Sequence, residues 1–546
     1  MKISKSTIIR TILVVIVIIN FILEKLGVRK VPMPNGNLSI PRICPRELTD
    51  FLEMPAVIEI LRRLHCPRSM GEVYQGRKCL KVLELLPFCL RMIKRRRALL
   101  YRGSERKLIK QNVFKAIQDL PYSLTDGQAK ALNEILEGLS GKRQFHALLQ
   151  GDVGSGKTVV AMLSMLAICG TGEQCALMVP TDILARQHFQ TMQGVFEKLG
   201  LHVSLLLGAM TTQERRSVLY DLETGHIDAV IGTHALFSKD VVFNNLGFVI
   251  IDEQHRFGVN QREALLAKGR YPDLLVMSAT PIPRSLAMTL YGDLRTIVIS
   301  EKPAGRKPVK TRMTPLFKRE AMKEFLKKEI ASGNRCYWVV SRVESDAEGM
   351  VGVSDVVEEL KAFSSEWNVQ GVHGQMDEKK RSAILDDFAS GQVQVLVATT
   401  VIEVGVNVPE ANLMVIEHPE RFGLAQLHQL RGRVGRGASE AWCFLLSSPE
   451  DSAYERLSQF AKTEDGFKIA EMDLETRGAG NLEGGEQSGS WVFRWFDWIK
   501  DKELIAKTLE QAERILDSSE SFSPEVREKI QMWYEELPPG FQDGIH

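Results

Sequence analysis

"LLQGDVGSGKTVVA", residues 148–161, decides how this chain is read. An apolar run, FHALLQ (145–150), leads into Gly151-Asp152-Val153-Gly154-Ser155-Gly156-Lys157-Thr158, and "KTVVAMLSMLAIC" continues as a helix. The pattern GxxxxGK[ST] between a strand and a helix has a physical meaning. Its glycines let backbone N–H groups turn inward around phosphate oxygens, and the helix N-terminus adds its positive end. Lys157 supplies a mobile charge for the β- and γ-phosphates, and Thr158 offers a hydroxyl to Mg²⁺. A phosphate cradle of this kind stands on the C-terminal edge of a parallel sheet, so the fold follows from it.

Further short apolar runs alternate with helical stretches on either side. CALMVP (175–180), DAVIGT (228–233), FVIIDE (248–253) and LLVMSA (274–279) complete a first set. The rhythm resumes in RCYWVVS (335–341), VQGVHG (369–374), VQVLVATT (393–400), LMVIEH (413–418) and AWCFLLS (441–447). Strands that are almost wholly apolar, each followed by a helix, predict parallel sheets covered on both faces. The fold class is therefore α/β, with two lobes in tandem. "SEKPAGRKPVKTR" (300–312), rich in Pro, Gly and basic residues, reads as the linker between them.

The run FVIIDE ends in two acids, Asp252 and Glu253. In a parallel sheet the strand ends share one edge, where ligands bind. Both carboxylates are thus expected beside Gly151–Thr158, with Asp252 holding Mg²⁺ and Glu253 orienting the water that attacks the γ-phosphate. In "LHQLRGRVGRG" (427–437), Arg433 and Arg436 stand three apart, which puts both on one side of a helical turn. Arginines supplied from a second lobe could stabilise the transition state of phosphoryl transfer. Binding of ATP would then draw the lobes together, as in a motor.

Composition sets the frame for these readings. The 546 residues allow roughly three or four domains of ~150 residues each, and 44% hydrophobic with 25% charged residues is ordinary for a globular protein. A net charge of +2 means that any anionic partner must be held by local patches. The cysteines (Cys44, Cys66, Cys79, Cys89, Cys169, Cys175, Cys336, Cys443) form no CxxC pair, which argues against a zinc cage or disulfide framework and for a reducing, cytoplasmic setting. Near the N-terminus, Ile12 to Ile19 is an apolar run behind Lys2, Lys5 and Arg10. It is short for a bilayer, and its β-branched residues suit a buried strand, which is preferred here over a membrane segment. Residues 40–110 carry apolar positions at helical spacing, ending in the basic cluster Arg91, Lys94, Arg95, Arg96, Arg97. That cluster reads either as a solvated helix face or as a phosphate contact. The aromatics Trp491, Phe493, Trp495, Phe496 and Trp498 invite a base-stacking reading. Packing against the second lobe is preferred, because Val492 and Ile499 accompany them.

Taken together, the phosphate loop, "DEQHRFGV" (252–259), "SATPIPRSL" (278–286), "TTVIEVGVNVPEA" (399–411) and "QLHQLRGRVGRG" (426–437) resemble the superfamily 2 helicase motifs in the form carried by the RecG family of ATP-dependent DNA helicases. The resemblance runs over roughly residues 40–515. It implies two RecA-like lobes, use of ATP and Mg²⁺, and action on double-stranded and branched DNA by a monomer not bound to membranes. "LPYSLTDGQ" (120–128) looks like the adenine-reading segment, with Gln128 the reader. "PTDILARQH" (180–188) and "GTHALF" (232–237) are similar to loops that grip DNA. The resemblance assigns Thr181, Thr233, Thr280 and Thr399 to DNA contact and coupling, with Gln254 and His255 linking nucleotide to DNA. "DGFKIAEMDLETRGAGNLEGGEQSG" (465–489), with Arg477 at its centre, resembles the family's translocation hairpin. A transcription–repair coupling translocase is the nearest alternative. It usually shows DEEQRFGV where this chain has Gln254-His255, and it needs further large domains.

The implied organisation is an apolar segment (1–39), a helical region (40–119), a first lobe (120–299), the linker (300–312), a second lobe (313–461), and the hairpin with C-terminal helices (462–546). Three departures stand out. The family places an OB-type wedge before the motor, yet only about thirty residues precede "VPMPNGNLSIPRICPRELTDFLEMP" (31–55), too few for such a barrel. The expectation is therefore a motor in which ATP hydrolysis and translocation persist while fork unwinding is weakened. Asn407 stands where the family usually has Asp near the nucleotide. Glu486 occupies a position that is often basic, where a carboxylate would repel phosphate.

Overall fold

The computed structural model describes residues 44–97, 106–253, 259–278, 294–301, 307–342, 352–403, 408, 410–435, 437, 439–477, 495–497 and 500–535. The apolar N-terminal segment therefore lies outside the described residues. Among those described, no helix is long and apolar enough to cross a membrane.

Chain contacts divide the protein into two units. The larger holds both predicted sheets. The first comprises β1 (His146–Gly151), β2 (Gln174–Met178), β3 (Val203–Leu206), β4 (Ala229–Gly232), β5 (Leu246–Asp252), β6 (Asp273–Ser278) and β7 (Arg295–Ile299), in the order β3-β4-β2-β5-β6-β1-β7. The second comprises β8 (Val309–Thr314), β9 (Arg335–Val339), β10 (Val369–Val372), β11 (Val395–Ala398), β12 (Ala411–Glu417) and β13 (Ala441–Leu446), in the order β10-β11-β9-β12-β13-β8. Every pairing is parallel.

The continuous apolar runs follow from burial on both faces. In β5, Phe248 and Ile250 enter one core of the first lobe, while Val249 and Ile251 enter the other. In β12, Met414 and Ile416 face one side of the second lobe, and Leu413 and Val415 the other. A strand alternates its side chains, so only a sheet covered twice needs apolar residues at every position.

The stretch expected as linker requires correction. Val309–Thr314 is a strand, pairing along β13 from Val309↔Ala441 to Thr314↔Leu446. It closes one edge of the second sheet, so its outer residues stay polar and the segment reads as a basic connection.

The smaller unit gathers helices from both ends of the described chain. Arg46–Phe51, Val57–His65 and the helix from Met70 through Arg91 join Lys502–Asp517 and Pro524–Glu535. Lys81 pairs with Asp501 at 2.8 Å, and the rings of Phe51 and Phe522 meet edge-on at 5.1 Å. Arg91, from the basic cluster, donates to the Trp533 carbonyl at 3.2 Å, so it serves this packing. Of the aromatic cluster, only Trp495 and Phe496 are described. Their N–H groups both donate to Glu84, and Phe496 is buried, so these two belong to the helical unit instead of the second lobe.

Candidate nucleotide site

The phosphate loop emerges from the C-terminal end of β1 and enters the helix Lys157–Ile168. Gly154 (φ +75°) and Gly156 (φ +85°) both sit in the left-handed region that favours glycine. Space at Gly156 is also closed: a Cβ there would stand 2.2 Å from Gln128 Nε2. Gly156→Ala should therefore distort the cradle and weaken nucleotide binding about tenfold or more. Titration with a fluorescent nucleotide checks this, and unchanged affinity would remove the steric argument.

Lys157 Nζ donates to the carbonyls of Gly151 (2.7 Å) and Asp152 (3.1 Å), and Val153 N–H donates to Asp152 Oδ1 at 2.7 Å. Ser155 is fully buried, and its hydroxyl has no hydrogen-bond partner among the described residues. A buried hydroxyl without a partner is costly, and a phosphate oxygen in the cradle would satisfy it. Thr158 is half-buried at the head of the helix.

Gln128 does more than the resemblance implies. Its Oε1 accepts from Thr125 N–H at 3.0 Å, completing a capping box on the helix Asp126–Ser140, and its Nε2 donates to the Ser155 carbonyl at 2.8 Å. One amide therefore ties a helix start to the phosphate loop. Only its second N–H and second lone pair are left for reading a base.

Register brings the acids to the same edge. Leu149 of β1 is level with Met277 of β6, and Met277 is level with Asp252 of β5. Two strand spacings, about 10 Å, separate Asp252 from Leu149, and the cradle begins just beyond. Glu253 is held at φ +53°, a conformation uncommon outside glycine, while its N–H faces the Met277 carbonyl and Asp252 Oδ1, each at 3.1 Å. Asp252 Oδ2 also stands 3.4 Å from His188 Nε2. His188 lies on the helix Asp182–Lys198, capped by the Thr181 hydroxyl, and Thr233 donates to Asp182 at 3.1 Å. The two loops expected to grip DNA are thereby linked to each other and to Asp252. Thr233 is 1% exposed, so its hydroxyl organises these loops from within. Thr399 is also buried, its N–H donating to the Val372 carbonyl at 3.4 Å.

From the second lobe, the helix Leu424–Arg431 runs into the turn that carries Arg433. Two contacts seat this segment on the phosphate loop. His428 Nε2 lies 2.5 Å from Asp152 Oδ1, and a Cβ on Gly432 would come within 2.7 Å of Val153 Cβ and Cγ1. The structure thus brings Lys157, Asp252 and Glu253 to one edge of the first sheet and seats the Arg433 turn on the phosphate loop there. Gln254, His255, Thr280, Asn407, Arg436, Glu486 and the side chain of Arg477 lie outside the described residues. The sequence reading named neither His188 nor His428 for a role, although both fall inside stretches it quoted.

Comparison with known proteins finds helicase families on both lobes. Residues 125–289 match the DEAD/DEAH box helicase family, 318–438 the helicase conserved C-terminal domain, and 463–537 the C-terminal part of domain 3 of the ATP-dependent DNA helicase RecG. The Thermotoga maritima RecG helicase is 43% identical over 487 residues, covering 88% of this chain and 62% of its own length. The Bacillus subtilis RecG helicase is 37% identical over 513 residues, covering 93% of this chain and 75% of its own. The solved structure of RecG bound to a three-way DNA junction superposes with a TM-score of 0.71 at 39% identity, over 88% of this chain and 62% of that one. The chain thus spans somewhat under two thirds of the first of these relatives. On sequence and fold alike, it belongs to the RecG family.

Proposed function

We propose that this chain is an ATP-driven DNA translocase of RecG type, acting on branched or double-stranded DNA. The observation that carries the reading is the seating of the second lobe's arginine turn on the first lobe's phosphate loop, through His428–Asp152 and Gly432–Val153. Lys157 and the backbone of Gly151–Thr158 would hold the phosphates, with Thr158 and Asp252 beside the Mg²⁺ position. Among the described residues no cluster of three His, Cys, Asp or Glu could hold a metal by itself. Thr158 and Asp252 would hold Mg²⁺ together with the nucleotide, and the ion would supply positive charge to its phosphates. Glu253 would orient the attacking water, and Arg433 and Arg436 would meet the transferring phosphoryl group from across the cleft. Asn407 can still accept a hydrogen bond near the nucleotide, so its effect is modest. The free thiols suit a reducing, cytoplasmic setting, and a monomer suffices for the chemistry.

Branched DNA enters because the RecG relative of similar fold is seen on a three-way junction. Paired assays on this chain test the substrate: ATP turnover with and without duplex DNA, and strand release from a synthetic fork. DNA-stimulated turnover with strand release supports a full fork motor. Stimulated turnover with little strand release supports a translocase that lacks productive unwinding. Turnover indifferent to DNA would refute the proposal.

A further inference from the structure

We infer that His428 is a positioning residue that sets the register between the arginine turn and the phosphate loop, an inference resting on the nucleotide chemistry just proposed. Arg431 Nη2 lies 3.1 Å from His428 Nδ1. A guanidinium can only donate, so Nδ1 accepts and the ring proton sits on Nε2. That proton is donated across the cleft to Asp152 Oδ1, which also accepts from Val153 N–H. Arg431 is fixed in turn, donating to the Phe460 carbonyl at 3.2 Å with its guanidinium 4.4 Å from the centre of the Phe460 ring. The ring of His428 is buried and cannot swing away without breaking this chain.

The consequence concerns Arg433. Gly432 N–H donates to the His428 carbonyl at 2.9 Å, and Arg433 N–H to the Leu430 carbonyl at 2.9 Å. The backbone of Arg433 is therefore placed about one and a half helical turns beyond the residue that grips Asp152, through consecutive turn hydrogen bonds. Gly432, lacking a side chain, lets this turn lie against Val153. One side-chain bond and one close approach fix where the arginine stands relative to the phosphates. Catalytic positioning of this kind tolerates little error, since small misplacements cost large factors in rate.

The test compares His428→Ala with His428→Gln in the full chain, because a glutamine amide can donate to Asp152 while its oxygen accepts from Arg431. His428→Ala should lower kcat for DNA-stimulated ATP turnover about tenfold to a hundredfold, with KM for ATP changed less than about twofold. His428→Gln should recover most of kcat. Spin labels on cysteines introduced at positions 220 and 317, in a background with Cys66→Ser and Cys79→Ser, report the distance between the lobes without nucleotide. His428→Ala should broaden that distribution and His428→Gln should narrow it again. An unchanged kcat and distribution in His428→Ala overturns the inference. Equal damage in both variants, or failure of both to fold, also overturns it, because the ring would then be only core packing. If the unaltered chain shows no DNA-stimulated turnover, the functional proposal has failed instead, and the distance readout still decides whether His428 pins the lobes.

Discussion

Glu253→Gln should all but abolish DNA-stimulated ATP turnover, lowering kcat by roughly 10²–10⁴-fold, the usual contribution of a positioned general base. The substitution keeps the shape of the side chain and removes its ability to take a proton. The backbone at Glu253 is strained into the left-handed region and held by the Met277 carbonyl on β6. Such an outlier at a strand tip points to function, and glutamine can occupy it with the same hydrogen bonds. Nucleotide affinity and the circular dichroism spectrum should therefore be unaltered. Lys157→Ala should stop turnover by another route, losing the charge meant for the β- and γ-phosphates together with the bonds to Gly151 and Asp152. Its nucleotide affinity should fall as well. Normal turnover in both variants would strip the cleft of the role proposed for it.

How much of this could be read beforehand depended on whether each signal was local. The phosphate loop needs only eight consecutive residues in the right setting. Asp252 and Glu253 followed from one strand end and the rule that parallel strands share an edge. Three strands escaped, and all three lie at sheet edges: β3 and β7 bound the first sheet, and β8 bounds the second. An edge strand faces solvent along one side, so VSLL, RTIVI and VKTRMT lack the continuous apolar run of their inner neighbours. The capping box of Thr125 and Gln128 was readable from its T-x-x-Q spacing, but the bond from Gln128 to Ser155 was not, since it joins residues 27 apart. His428 and His188 share that difficulty: a histidine in a helix carries no local mark of the acid it will meet. Nor could sequence spacing reveal that helices near residues 46–91 and 502–535 fold into one unit.

Arg106→Leu should destabilise the first lobe by about 3–5 kcal/mol, the cost of removing one partner from a buried ion pair. Arg106 pairs with Asp273 and, at 2.6 Å, with Glu173, and it also donates to the Gly247 carbonyl at 3.2 Å. Its side chain is 7% exposed and that of Asp273 is 0% exposed, so leucine would leave a carboxylate buried without its counter-charge. These residues sit where β2, β5 and β6 begin, and Asp273 Oδ1 also accepts from Phe145 N–H, just ahead of β1. The cluster therefore ties together four strand starts at the edge opposite the phosphate loop. For a lobe of this size the thermal midpoint should fall by roughly 10 °C. Asp273→Asn added to Arg106→Leu should restore part of the loss, because the amide keeps an acceptor for Phe145 and removes the unpaired charge. Because the cluster lies away from the cleft, protein that remains folded at 25 °C should keep its kcat. A midpoint within one degree of the original in Arg106→Leu would show that the pair contributes nothing net. A double variant no better than the single would show that charge burial is not the cause.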